Sequence, residues 1–401
     1  DIFSLEERAR IQGLFSGVWG ISSIVGPALG GLIVDHFSWR WVFYINVPFG
    51  LLSSLLLFIF LKEQVERRRR SLDYIGTLTL TGSIVALLFA FLQGGVSWAW
   101  VSLPSIGLFA ISLVLLALFL YTEMRVEEPI LPLELFTHRI ITVSSIGGLV
   151  LGIMMFGATT YVPLFVQGVK GGSATDAGIA LGPMLLAWPI TSSLSGKVVI
   201  RYGYRFTALL GTALALLGAV MIVLFNAQTS IAFVVASMLL LGAGLGFASS
   251  AYILAVQTAV PWKLRGVSTA SQQFFRTIGG TIGVAIMGTI MNGQIAQRFS
   301  PIFVQFADVV ARFPKGTSPA NVLLTPDVRA SLPLPFLQQL QVALSQSLFW
   351  VYLVLLVLAV FGLVAMLWLP GGPASQHTYH ASDEEKAAPS GAASETLAHI
   401  G

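Results

Sequence analysis

The sequence predicts an all-α polytopic membrane protein, and three observations predict it. Of its 401 residues, 55% are hydrophobic and only 10% are charged, where a soluble domain carries about 25% charge. The apolar residues collect into ten stretches, nearly all of the roughly 20 residues that a helix needs to cross a bilayer. Almost every charge lies between those stretches. Such a composition cannot be wrapped in water.

In chain order the expected spans are Gly13 to Val34, Trp41 to Leu61, Ile75 to Leu92, Leu103 to Tyr121 and Ile141 to Phe165, then Ala177 to Val199, Phe206 to Asn226, Ile231 to Val256, Ser268 to Met291 and Leu348 to Leu369. The first holds Pro27, which deletes a backbone hydrogen bond and bends the helix. Gly26 and Gly30 there open a smooth stripe on which another helix can press. Trp39 and Trp41, and later Trp98 and Trp100, fit the aromatic belt at a membrane interface. Between the second and third spans, Lys62 to Arg70 is a polybasic run that pins topology rather than recruiting anionic lipid. Asp35, Asp73 and Asp176 sit at span ends, where capping explains them.

The ninth span carries Arg276, the one charge well inside a span, about eight residues or roughly 12 Å from its end. Two readings stand: a functional charge, because burying one is costly, or a long side chain snorkelling to the interface. Residues 292–347 read as a long outer loop, in which Ile295, Phe299, Ile302, Phe303, Phe306, Val309 and Val310 recur at helical spacing and predict an amphipathic surface helix. From Gly371 onward Ser, Ala, Asp and Glu dominate, the signature of a disordered cytoplasmic tail.

Placing the segment before Gly13 in the cytoplasm puts fifteen Lys and Arg residues on that side and six on the other. The positive-inside rule then sets both ends of the chain in the cytoplasm of a cell-membrane protein. Topology accounts for the net charge of +4, and no nucleic-acid partner is expected. The absence of cysteine excludes disulfides and thiolate metal sites. All five histidines fall outside the spans, no nucleotide-binding or hydrolase motif occurs, and neither a cofactor nor an enzymatic activity is expected. The chain opens on Asp1 with no initiator Met, so a truncated N-terminus is expected.

Gly17-Val18-Trp19-Gly20 followed by Gly26-Pro27-Ala28-Leu29-Gly30-Gly31 resembles the antiporter motif in the fifth helix of major facilitator superfamily exporters. Trp39-Arg40-Trp41 with Ile45-Asn46-Val47-Pro48 looks like the fourteen-helix drug:proton antiporter branch, as do Leu72-Asp73, Glu128-Pro129-Ile130-Leu131-Pro132, and Arg276 with Gly279, Gly280 and Gly283. The resemblance implies a major facilitator fold lacking its first four helices, with ten present. Residues 1–70 would be the last two helices of the N-terminal half, 71–139 two linker helices, 140–370 a complete C-terminal half, and 371–401 the tail. It implies that Gly17, Gly20, Gly26, Pro27, Gly30 and Gly31 help to close the outer side. Gly196, Arg201, Gly203 and Arg205 resemble the superfamily's cytoplasmic loop motif, but Ile200 stands where an Asp is usual, which implies a weaker lock.

The expected function is secondary active transport, with proton-coupled export of drugs or other lipophilic organic compounds by alternating access. The expected partners are a small-molecule substrate, protons and the bilayer, and a monomer is expected. Asn46, Tyr161, Gln257, Gln272, Gln273 and Arg276 are the cavity or coupling candidates, with Gln167, Trp188 and Tyr252 as further polar or aromatic positions. No acid lies within a span, so proton coupling follows from the resemblance alone. Two alternatives stay open: an exporter of one natural product, siderophore or lipid, and a non-transporting sensor, assembly protein or inactive fragment.

Overall fold

Long apolar segments give backbone N–H and C=O groups no water to bond, so each segment must satisfy its own backbone as a helix. In the computed structural model, which describes residues 29–60, 73–95, 97–126, 129–261, 264–311 and 319–371 together with 22, 25 and 26, they do so. α1 is described over 29–36. It is followed by α2 (Trp41–Phe60), α3 (Tyr74–Gln93), α4 (Leu103–Glu123) and α5 (Arg139–Leu164), whose end runs into a π turn, Phe165–Val169. A helix of 50 residues, Ala174–Val223, breaks at Gly203 into α6 (174–202) and α7 (204–223). α8 (Ile231–Thr258), α9 (Arg265–Gln305) and α10 (Leu334–Met366) complete the set. Counting Ala174–Val223 once, eight helices among the described residues are long and apolar enough to cross a membrane.

The helices start where side chains can bond their first N–H groups. The Asp73 carboxylate accepts from the Gly76 N–H at 2.7 Å and starts α3. Ser102 starts α4, and Ser230 starts α8. Ser173 and Asp176 form a reciprocal capping box on α6, at 3.1 and 2.9 Å.

The main buried core draws its residues only from positions 143–369, so α5–α10 form one bundle. Its closest contacts use glycine. A Cβ at Gly152 of α5 would fall on the Arg276 carbonyl of α9, and one at Gly279 would meet the Leu149 backbone. Gly242 and Gly246 of α8 press in the same way on the backbone of α6 at Met184 and Trp188. In lipid no hydrophobic force drives helices together, so such close backbone approach supplies the dispersion contact that holds them. α3 and α4 form a separate hairpin, joined by reciprocal bonds from the Ser83 and Ser112 hydroxyls to each other's carbonyls at 2.8 and 2.9 Å. The hairpin touches the bundle where the Thr289 hydroxyl donates to the Phe91 carbonyl at 2.9 Å.

Residues 292–347 differ from expectation. α9 continues through Gln305 and α10 already begins at Leu334, so the long connection shrinks and the amphipathic stripe is not a surface helix. Ile295 and Phe299 are buried in the core, and Phe303 and Phe306 stack on Phe336 of α10 with ring centroids 6.2 and 5.2 Å apart. On the polar face Arg298 donates to Gln294 on its own helix and to Gln346 of α10. Gln294, Gln297 and Arg298 break the apolar run while sharing one helical face, which is why hydropathy alone ends the span early. At about 1.5 Å per residue, 41 residues of α9 reach roughly 60 Å, twice the hydrocarbon core of a bilayer. The expected tail from 372, the polybasic run, and Gly17, Gly20 and Pro27 lie outside the described residues.

Candidate functional site

Four helices, α5, α6, α8 and α9, border an open cavity of about 600 Å³. Met155 and Phe156 of α5, Met184 and Leu185 of α6 and Ile253 of α8 form its apolar wall. Arg276 of α9 is the only charged residue among those that line it, and its guanidinium lies 5.7 Å from the centroid of the Trp188 ring. That separation is within cation–π range. The hydroxyls facing the cavity are internally engaged. Ser192 and Ser250 pair at 2.6 Å, Thr159 donates to the Met155 carbonyl at 3.0 Å, and Ser193 donates to the Pro189 carbonyl at 2.9 Å. Arg276 makes no hydrogen bond or ion pair with any described residue, its ring contact aside.

The other cavity candidates separate in space. Gln272 is only 1% exposed, beside Gly148, and neither atom of its amide has a partner among the described residues. The buried Tyr252 hydroxyl next to Gly147 likewise has none. Gln273 and Gln257 line a shallower recess with Arg265 and Thr269, where Gln257 donates to the Thr269 hydroxyl at 3.2 Å. Tyr161 is buried, and its hydroxyl donates to the Val284 carbonyl at 3.3 Å, which makes it a strut between α5 and α9. Asn46 is exposed and bonds back to the Val42 carbonyl of its own segment at 2.8 Å. Gln167 lends its carbonyl to Arg329 at 3.0 Å. Of the six, only Arg276 lines the cavity. The serines were missed; their one signal is that adjacent pairs, Ser192-Ser193 and Ser249-Ser250, interrupt otherwise apolar spans.

In the glycine-rich first span the contact is made by Gly31 and not by the Gly26 and Gly30 stripe. A Cβ at Gly26 or Gly30 would meet nothing among the described residues, whereas one at Gly31 would strike the backbone of Thr175 and Ala174 at the start of α6. Asp35, a turn further on, caps that foreign helix rather than its own. Its carboxylate accepts from the Ala174 and Thr175 N–H groups at 3.3 and 3.1 Å and from the Thr175 hydroxyl at 2.5 Å. Burial pushes the Asp35 carboxyl up, but the Thr175 hydroxyl and the two N–H groups, with His36 nearby, outweigh it and hold the group below its ordinary value. A lowered carboxylate stabilises its contact above the ordinary pKa of about 4, and that contribution is lost as pH falls through the lowered value. Spin labels on cysteines replacing Leu32 and Ile179, in a chain with no native cysteine, should therefore give a narrow distance distribution at pH 7. Asp35→Asn should broaden it at pH 7, and the two proteins should converge only once pH falls below the lowered value, under about 4.

At the far end of α6, Gly203 sits at φ 83° and ψ 171°, a conformation that only glycine adopts readily, and it turns the chain into α7. Gly196 faces open space, Arg201 stacks on Tyr202 at 5.3 Å and Arg205 lies beside Gly371. Ile200, in the position of the usual acid, is 80% exposed. Its side chain tethers nothing.

A bundle of membrane-length helices beside a largely apolar cavity that one charged side chain lines describes a multi-pass membrane protein. The sequence profile of the Major Facilitator Superfamily matches residues 1–74 and 68–284. Multidrug transporter protein MdtP of Bacillus subtilis (strain 168) is 32% identical over 406 residues, spanning 97% of this chain and 75% of the relative. Multidrug resistance protein 3 of the same organism is 31% identical, over 92% of this chain and 72% of the relative. The MFS-type efflux pump MFS1 of Trichophyton rubrum is 32% identical, over 91% and 69%. The chain belongs to the major facilitator superfamily, and its relatives place it with the drug-efflux type.

Proposed function

We propose that the chain exports lipophilic organic compounds in exchange for protons, by rocking two helical halves about the cavity at Arg276. The observation that carries this reading is the cavity itself, of about 600 Å³, large enough for a drug-sized molecule and apolar over most of its wall. Relatives named as multidrug transporters and an efflux pump support the substrate class. In this reading the Gly31–Thr175 contact with its Asp35 cap closes the outer side, and Gly196 to Arg205 forms the cytoplasmic turn that must flex on the inner side. Both ends of the chain then lie in the cytoplasm, the membrane is the cell membrane, and the working unit is a monomer. No carboxylate lines the cavity among the described residues, so the proton carrier is assigned to acids elsewhere in the transport unit.

The test is efflux of a lipophilic fluorescent dye from cells that express the protein. Efflux should accelerate when an inward proton gradient is imposed and should collapse when a protonophore removes it. Efflux that ignores the gradient would remove proton coupling, and none at all would remove transport.

A further inference from the structure

We propose that Arg276 and Trp188 form a subsite for the anionic group of an aromatic amphiphile, so that the cavity prefers organic anions to organic cations of the same shape. The inference rests on the exporter reading and names its substrate class.

A guanidinium carries five N–H donors and no acceptor. At Arg276 none of them meets a described acceptor, although the residue lies roughly 16 Å along its helix, at about 1.5 Å per residue from Arg265. An unpaired charge in an apolar surround is unfavourable until something pairs with it. The lining hydroxyls make no bond to it: Ser192 and Ser250 bond one another, Thr159 and Ser193 donate to their own helix, and a neutral hydroxyl would not offset the charge in any case. The backbone cannot carry the charge away either, since α9 is pinned to α5 by the contact of Gly152 with the Arg276 carbonyl and of Gly279 with Leu149. A carboxylate or sulfonate from a ligand would supply the missing acceptors in the planar, two-point geometry that arginine binds best.

The indole adds the second half of the subsite. Trp188 holds the guanidinium near its ring and offers apolar area on the same wall as Phe156 and Met184, where a flat hydrophobic body can lie. A cationic ligand in this place would face a like charge, and no lining carboxylate among the described residues offsets that repulsion.

The experiment uses the purified chain in lipid nanodiscs and two dansyl probes that differ only in charge: dansylglycine, and a dansyl compound with a quaternary ammonium in place of the carboxylate. Binding is read as energy transfer from tryptophan to dansyl. The unaltered protein should bind the anion about tenfold more tightly. Arg276→Gln should abolish that preference by weakening the anion and sparing or strengthening the cation, and Arg276→Lys should restore part of it. Equal weakening of both probes by Arg276→Gln, with Arg276→Lys no better, would make the residue merely structural and overturn the proposal. Tighter binding of the cation by the unaltered protein would also overturn it. Gradient-driven movement of the probes in vesicles separates the two readings. An anion preference without movement sinks the exporter reading alone, and movement of both probes at equal rates with equal affinities sinks the charge preference alone.

Discussion

Gly152→Val is expected to destabilise the bundle by about 3 kcal/mol and to abolish the charge preference at Arg276, because overpacking a tight contact moves backbone. The side chain would occupy the space of the Arg276 carbonyl and approach the Gly280 N–H of α9. α9 must then withdraw from α5, and the guanidinium moves with it. Gly182→Val on α6 is the control, since a Cβ there meets nothing. Thermal unfolding of the two variants in nanodiscs should separate them clearly. Equal midpoints would mean that the α5–α9 contact is not the seam described here.

Gly203→Ala should be the second most damaging single change, at about 1–3 kcal/mol, because φ 83° with ψ 171° is closed to a residue with a Cβ. The expected result is a lower midpoint together with a loss of helical hairpin order between α6 and α7, seen as faster amide exchange around 200–206. Gly196→Ala, in the same loop motif but on regular helix facing open space, should be neutral or slightly stabilising, since alanine is the better helix former. The two glycines of one motif thus divide into one required by backbone geometry and one that is not. If both variants behave alike, the turn is supported by something other than its dihedral angles.

Arg276 was legible in the sequence because a charge amid twenty apolar residues stands out whatever surrounds it. The polar candidates Asn46, Tyr161 and Gln257 were equally visible, yet they bond to their own segment, to α9 or to Thr269 and stay away from the cavity. A polar side chain in a span has two outlets, a neighbouring helix or a cavity, and helical phase relative to the neighbours decides between them. The serines show the converse. A hydroxyl in a helix usually bonds to a carbonyl a turn earlier, as Thr159 and Ser193 do, so nothing local marks a serine that also faces a ligand.

Most span boundaries were readable because the constraint is one-dimensional: backbone groups in lipid must bond within their own segment, and length and hydropathy report that directly. Among the described residues they failed at α9 and α10, where a polar face and an apolar face share one helix and a linear average cannot separate them. The sequence by itself therefore determined the class of the protein, the order of the membrane segments among the described residues, and the lone charge among them. The tertiary structure alone decided which glycine carries a contact, that Asp35 caps a helix some 140 positions away, and that Arg276, Trp188 and two serine pairs meet around one cavity. Those relations depend on the rotation of each helix about its own axis, and that angle is set by how neighbouring backbones fit together.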